Sequence, residues 1–154
     1  MKVKKSGAFT VREKRITSFL LSEVQILDTV NPIKDEKTWT ALWDTGATCT
    51  FISKEVADRM GLTPTTYVPV DTIKEHGKEA SRYNIRVVFP NDFSTVVHAV
   101  EWPWFSDGVD IVIGMDIISQ GDFSITNPKN RTVFSFRIPS VKEVDYEKDS
   151  LTRD

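Results

Sequence analysis

"TALWDTGATCTFIS", residues 40–53, carries one Asp-Thr-Gly triplet, Asp44-Thr45-Gly46, between an apolar run and a second apolar pair. The residues leading into it, "EKTWTALWD" (36–44), alternate polar and apolar and grow more apolar toward Trp43, as a strand running into a core does. Phe51 and Ile52 resume the apolar pattern after the triplet. Taken alone, the triplet reads as a turn, because an Asp side chain accepts backbone N–H groups and Gly tolerates positive φ. Its flanks add a demand. A carboxylate bracketed by core residues is expected to be partly buried, and a buried charge must be paired, hydrogen-bonded or protonated.

Working outward, "SKEVADRMGL" (53–62) predicts a helix: Ser53 can cap it, Val56, Ala57 and Met60 share a face, and Gly61 can close it. "TPTTYVPV" (63–70), with two prolines, reads as loop and edge strand. Residues 70–92 read as two strands around His76-Gly77, then a turn at Pro90-Asn91-Asp92. "STVVHAVEW" (94–102) is a further strand and "PWFSDG" (103–108) a loop. "VDIVIGMD" (109–116) is a buried strand ending at Gly114, and "DIISQ" (116–120) a short helix that Asp116 can cap. "DFSITN" (122–127) and "RTVFSFRI" (131–138) are strands around the turn at 127–130. Residues 15–28, "RITSFLLSEVQILD", suit a short helix or a strand equally.

The class expected is therefore all-β, a barrel-like domain with one main helix. Residues 1–35 are expected to form an N-terminal extension with a first strand or helix, its first 15 residues loosely ordered. Residues 36–139 are expected to form the main domain, and residues 140–154 a charged, disordered tail.

Composition narrows the functions. Forty per cent hydrophobic and 27% charged residues suit one globular domain. With 20 basic and 22 acidic residues the net charge is −2, which argues against a nucleic-acid partner. Lys2, Lys4, Lys5, Arg12, Lys14 and Arg15 cluster but are interrupted, as on a solvated face. No run is long and apolar enough for a membrane helix, and no secretory h-region is evident. The single cysteine, Cys49, forbids an intrachain disulfide and fits a reducing, cytoplasmic setting; it reads as a small buried filler. Two histidines and one cysteine, widely spaced, make no metal site, and no cofactor is indicated.

Taken together, "ALWDTGATCTFIS", the helix "SKEVADRMGL", the glycine-tipped hairpin and "DIVIGMDII…GDFSITN" resemble the retropepsin-like aspartic proteases. The resemblance spans about residues 36–138 and is nearer to bacterial single-domain members than to viral ones. It implies a retropepsin-like acid protease barrel carrying half a site per chain. Asp44 would meet the same residue of a second copy on the two-fold axis of a homodimer. The pair would activate a water against an extended peptide or protein substrate. Thr45 would bond across the axis, and Gly46 would let the backbone approach the substrate. Ala47 would complete the loop. Val112, Ile113 and Gly114 would pack beneath it. The hairpin at about 71–79 would be a flap carrying Thr72, Ile73, His76 and Gly77, and Thr48 would join them in binding substrate. The strand "TVFSFRI" would contribute to the dimer interface.

The sequence also departs from the pattern. Trp43 stands where a smaller aliphatic residue is usual and is expected to reshape the dimer contact. An Asp–Arg pair common in viral members is replaced by Thr48 and Met115; losing both charges together leaves neither uncompensated. Ala47 offers Asp44 no hydroxyl, so activity is expected to extend above strongly acidic pH. Neither Asp110 nor Asp116 lies in a second such triplet, so neither is expected to be the missing acid. The rival reading is a catalytically silent dimeric module that binds peptides or a partner on the same fold.

Overall fold

A computed structural model describes residues 4–31, 36–71, 76–103 and 105–151. Period-two burial sets its strands. β1 spans Gly7–Arg12, and β2 (Leu21–Asp28) buries Ser22, Val24 and Ile26 while the residues between them point outward. That alternation decides the ambiguous 15–28 stretch in favour of a strand, since a helix would have put Val24 and Ile26 on different faces. β3 (Trp39–Trp43) buries Trp39, Ala41 and Trp43 in the same way. β4 (Phe51–Ile52), β5 (Thr66–Val70), β6 (Lys78–Phe89), β7 (Phe93–Glu101) and β8 (Ile111–Ile113) complete a sheet ordered β2-β3-β8-β4-β7-β6-β5. Pairing of β2 with β6 closes it into a barrel.

The length of β6 shapes what lies outside the barrel. Residues 85–88 pair with β2, while residues 78–82 pair with β5. The β5–β6 hairpin thus extends past the barrel wall as an outlying flange.

α1 (Lys54–Arg59) forms where expected. Ser53 Oγ accepts the Val56 N–H at 3.3 Å, Val56 and Ala57 are buried, and Gly61 follows with φ +59°. A cap of this kind contributes about 1 kcal/mol. α2 (Met115–Ile118) follows β8, then β9 (Asp122–Thr126), a short 3-10 turn at Pro128–Asn130 and β10 (Val133–Ile138). A second sheet, ordered β1-β10-β9, stacks its aromatic face on the barrel. Trp43 lies 4.8 Å from Phe136 between ring centres and stacks on Phe123 at 5.5 Å. Phe9 joins the same cluster, 5.7 Å from Trp43.

Three readings change here. Residues 7–12, read as loosely ordered, form β1, because Phe9 docks in the aromatic core although its neighbours are polar. Trp43, expected at the dimer contact, faces inward with Trp39 and Ala41, and its Nε1 donates to Ser22 Oγ at 2.9 Å. The stretch from Ser140 is tied down rather than free at its start. The Asp122 carboxylate accepts from Arg137 Nε (2.6 Å), Val141 N (2.9 Å), Lys142 N (3.2 Å) and the Ser140 hydroxyl. These donors, Ser140 foremost, hold Asp122 well below the usual carboxylate pKa range. α3 (Tyr146–Leu151) follows. Of residues 1–35, set apart as an extension on sequence, β2 forms part of the barrel wall and β1 an edge of the second sheet. Among the described residues no helix is long and apolar enough to cross a membrane.

Candidate active site

β3 and β8 run parallel, with Leu42 opposite Val112 and Trp43 opposite Ile113. Two chain segments therefore leave the sheet side by side, and Asp44 and Gly114 are the next residue on each. β4 pairs with the other edge of β8, Phe51 opposite Val112, so the chain from Asp44 must loop over Gly114 to reach it.

That loop is held by backbone bonds from both sides. Asp44 N–H donates to Ile113 C=O at 3.0 Å, and Met115 N–H donates to Ala47 C=O at 2.8 Å. Within the loop, Gly46 N–H donates to Asp44 Oδ1 at 2.8 Å and Ala47 N–H to Asp44 C=O at 3.2 Å. Gly114 has an ordinary φ of −95°, so its identity is set by space. A Cβ there would lie 2.4 Å from the Cys49 carbonyl oxygen and 3.0 Å from that of Ala47. Only glycine lets the two segments approach this closely.

A polar tie beneath the loop was not read from the sequence. Thr50, fully buried, accepts the Gly114 N–H on its hydroxyl at 3.3 Å and donates that hydroxyl to Asp116 Oδ1 at 2.8 Å. Thr50 N–H donates to Asp116 Oδ2 at 2.9 Å. Asp116 thus ties down the Asp44 loop through Thr50, while Gly114 occupies the cap position of α2, where the sequence reading had placed Asp116. Only the pairing of β4 with β8 brings residues 50 and 116 together, and no linear pattern marks it.

The predicted site residues divide into groups. Asp44 meets Ile113 and Ala47 meets Gly114 and Met115 directly, while Thr45 and Gly46 lie in the loop between them. Asp44, Thr45 and Gly46 are exposed on the single chain, which corrects the expectation that Asp44 is partly buried; its apolar flanks Ala41 and Trp43 point into the barrel while the loop itself stands clear. Ile113 is fully buried under the loop, whereas Val112 is half-buried on the opposite face of its short strand, as alternation requires. Thr48 is exposed on the loop. His76 and Gly77 sit exposed in the β5–β6 turn, where Gly77 (φ +68°) donates its N–H to Asp71 Oδ1 at 2.8 Å. Thr72 and Ile73 lie outside the described residues. Cys49, read as a buried filler, is only half-buried; burial, then the nearby Asp116 charge, pushes its thiol pKa up.

On the sheet face carrying Val112, strand register aligns a continuous row. It runs Leu21, Leu42, Val112, Phe51, Val100, Arg82, each directly opposite the next on neighbouring strands. The row is apolar until Arg82 and crosses the sheet from beside the Asp44 loop to the β5–β6 hairpin. Among the described residues no cluster of three or more His, Cys, Asp or Glu side chains suits a metal ion.

Comparison with known proteins bears on this loop. Residues 30–117, more than half of the chain and including the whole Asp44–Gly114 crossing, match the family model described as aspartyl protease. The chain belongs to the aspartyl protease family. Its fold is retropepsin-like. A retropepsin-like aspartic protease from Rickettsia conorii superposes with a TM-score of 0.55 at 14% identity, covering 90% of this chain and 98% of that one. The retroviral protease-like domain of Ddi1 from Leishmania major gives a TM-score of 0.51 at 16% identity, covering 84% and 99%. At such identities these likenesses speak for the fold of the protease, not for its substrates. No curated protein matches the sequence.

Proposed function

We propose that this protease is a homodimeric aspartic endopeptidase in which Asp44 and the partner's Asp44 activate one water between them. The observation that carries the reading is a rigidly held loop presenting an exposed carboxylate, in a chain with one Asp-Thr-Gly triplet. A two-fold axis places a residue opposite its own copy, so one triplet per chain supplies both acids. Two carboxylates roughly 3 Å apart share a single proton. The ionised member takes a proton from water as that water attacks the scissile carbonyl, and the protonated member donates to the carbonyl oxygen. Thr45 is assigned to bonding across the axis and Gly46 to the close approach of substrate. The β5–β6 hairpin, with Thr72, Ile73, His76 and Gly77, is assigned to closing over an extended peptide.

The edges of the second sheet favour a particular dimer contact. β10, carrying the "TVFSFRI" sequence expected at the interface, has β1 on one edge and β9 on the other, so its backbone is already paired. Among the described residues β9 has an unpaired outer edge, with Ile125 46% exposed. Phe123 on the same strand stacks on Trp43, the residue before Asp44. A second copy pairing along β9 would therefore cover an open strand edge beside the catalytic loop. In this reading the catalytic unit comprises β1 and β2 with residues 36–139, and a reducing cytoplasm suits the lone Cys49.

The test is digestion of a mixed library of unstructured peptides, from about pH 4 to about pH 7, by the native chain and by Asp44→Asn. Cleavage should fall by roughly a thousandfold or more in the variant. Specific activity should rise with enzyme concentration as the dimer forms. Folded, dimeric protein that cleaves nothing would overturn the enzyme reading in favour of a peptide-binding module.

A further inference from the structure

The end of the apolar row has a chemistry that the catalytic reading does not use. A cavity of about 400 Å³ opens beside the Asp44 loop, and Cys49, Phe51, Val68, Val100, Trp102 and Arg82 form its walls. Phe51 and Trp102 pack at 5.4 Å between ring centres and give it an aromatic floor. Arg82 is half-buried in β6, directly opposite Val100 on β7 and Thr66 on β5. Its backbone carbonyl accepts from Thr65 N (2.8 Å) and Thr65 Oγ1 (3.1 Å). Among the described residues its guanidinium makes no hydrogen bond and no ion pair, and the residue as a whole is partly withdrawn from water. Arg82 thus offers a cation with five unused donors, on a strand position held by backbone bonds, at the end of an apolar trough.

We propose that Arg82 is a specificity-determining residue that selects a glutamate or aspartate in the substrate, within a few residues of the scissile bond. This deepens the protease reading and rests on it. An extended peptide sends alternate side chains to one face, so one of them enters this cavity. A glutamate fits both ends of it. Its methylenes pack on Phe51 and Val100, and its carboxylate meets the guanidinium in a charge-assisted pair, with the planar fork suited to two parallel bonds. A lysine would bring a second cation against a half-buried one, and a purely apolar side chain would leave the guanidinium desolvated and unpaired. The other polar groups on the cavity fit a single acid rather than a run of them. Asp71 stands at the rim, its Oδ1 accepting from Gly77 N at 2.8 Å and 3.6 Å from His76 Nδ1, and it would repel a second carboxylate. His98, exposed on β7, offers a neutral or cationic partner that does not oppose the first.

The experiment uses the full-length dimer and a randomised decapeptide library, read by sequencing of products. Native protein should enrich Glu and Asp about tenfold over Gln and Asn at one fixed position from the cut. Arg82→Gln should erase that enrichment, Arg82→Lys should restore part of it, and Arg82→Glu should turn it toward Lys and Arg. In parallel, Asp44→Asn and Asp44→Asn with Arg82→Gln are used to capture peptides from the same library without turnover. Cleavage with no acidic position, or with one indifferent to residue 82, overturns the proposal while leaving the protease intact. Arg82-dependent capture of acidic peptides without cleavage by native protein supports the pocket and removes the enzyme. Absence of both cleavage and Arg82-dependent capture overturns both.

Discussion

β8 lies between β3 and β4, and the residue after it is wedged against two carbonyl oxygens, whereas β5 lies at the outer edge of the sheet with β6 as its only neighbour among the described residues. The two regions face the same proposed substrate and are held in opposite ways. Around Asp44, its own N–H donates to the Ile113 carbonyl and the Met115 N–H to that of Ala47, with the Thr50–Asp116 tie below. In the β5–β6 turn, Gly77 has nothing among the described residues within 4 Å of where a Cβ would be, and Tyr67 on the flanking strand is 60% exposed. Local opening free energy follows such differences in packing and hydrogen bonding. In the proposed reading, the fixed geometry falls to Asp44, the acid proposed to do the chemistry, and the freedom to the hairpin proposed to admit a peptide.

Two glycines turn the contrast into numbers. At Gly114 a methyl group would overlap backbone that cannot swing aside, and the displaced atoms belong to the loop carrying Asp44. Gly114→Ala should cost about 3 kcal/mol of stability, at the upper end for overpacking. Peptide cleavage should fall with it even at temperatures where the variant is fully folded. Urea unfolding paired with an activity assay checks both. A variant with native stability would show that the Gly114 crossing is looser than its contacts indicate.

A smaller loss is expected one layer down. Thr50→Val keeps the shape of the side chain but strands the Gly114 N–H and one oxygen of Asp116. It should cost about 1–3 kcal/mol. Thr50→Ser, which keeps the hydroxyl and loses one methyl, should cost about 0.8 kcal/mol. Equal costs for the two would mean that the tie contributes only packing.

How much of this was legible follows the same division. The Asp44–Gly114 crossing was readable because its demands are local: an inward strand, an Asp-Thr-Gly turn, and two apolar residues before a glycine. α1 was readable from Ser53 and Gly61 for the same reason. Reading stopped where long-range pairing decides. β1 looked unstructured because one aromatic, Phe9, is outweighed in composition by lysines and arginines, yet its value comes from rings at positions 43, 134 and 136. Trp43 was placed at a dimer contact from its position beside Asp44, when the period of its own strand already pointed it at the core. The Thr50–Asp116 pair and the row ending in Arg82 depend on register between strands far apart in sequence, which alternation within each strand leaves open.

The smallest expected effect lies at the hairpin and is the sharpest check on the contrast. Gly77 has φ +68°, so an added methyl group meets strain in its own backbone and, among the described residues, no neighbour within 4 Å. Gly77→Ala should cost about 1 kcal/mol, the ordinary charge for an L-residue in the left-handed region. Because the β5–β6 hairpin hangs on one neighbour, much of that cost should fall on local opening of the hairpin rather than on global unfolding. Hydrogen exchange should then quicken for residues 66–70 and 78–82 while the amides of β3 and β8 keep their native protection. If peptide cleavage depends on hairpin closure, KM should change more than the stability does, since the variant alters the population that can close and leaves the Asp44 loop untouched. Exchange that quickens equally in β3 and β8 would mean that the hairpin and the catalytic crossing open as one unit.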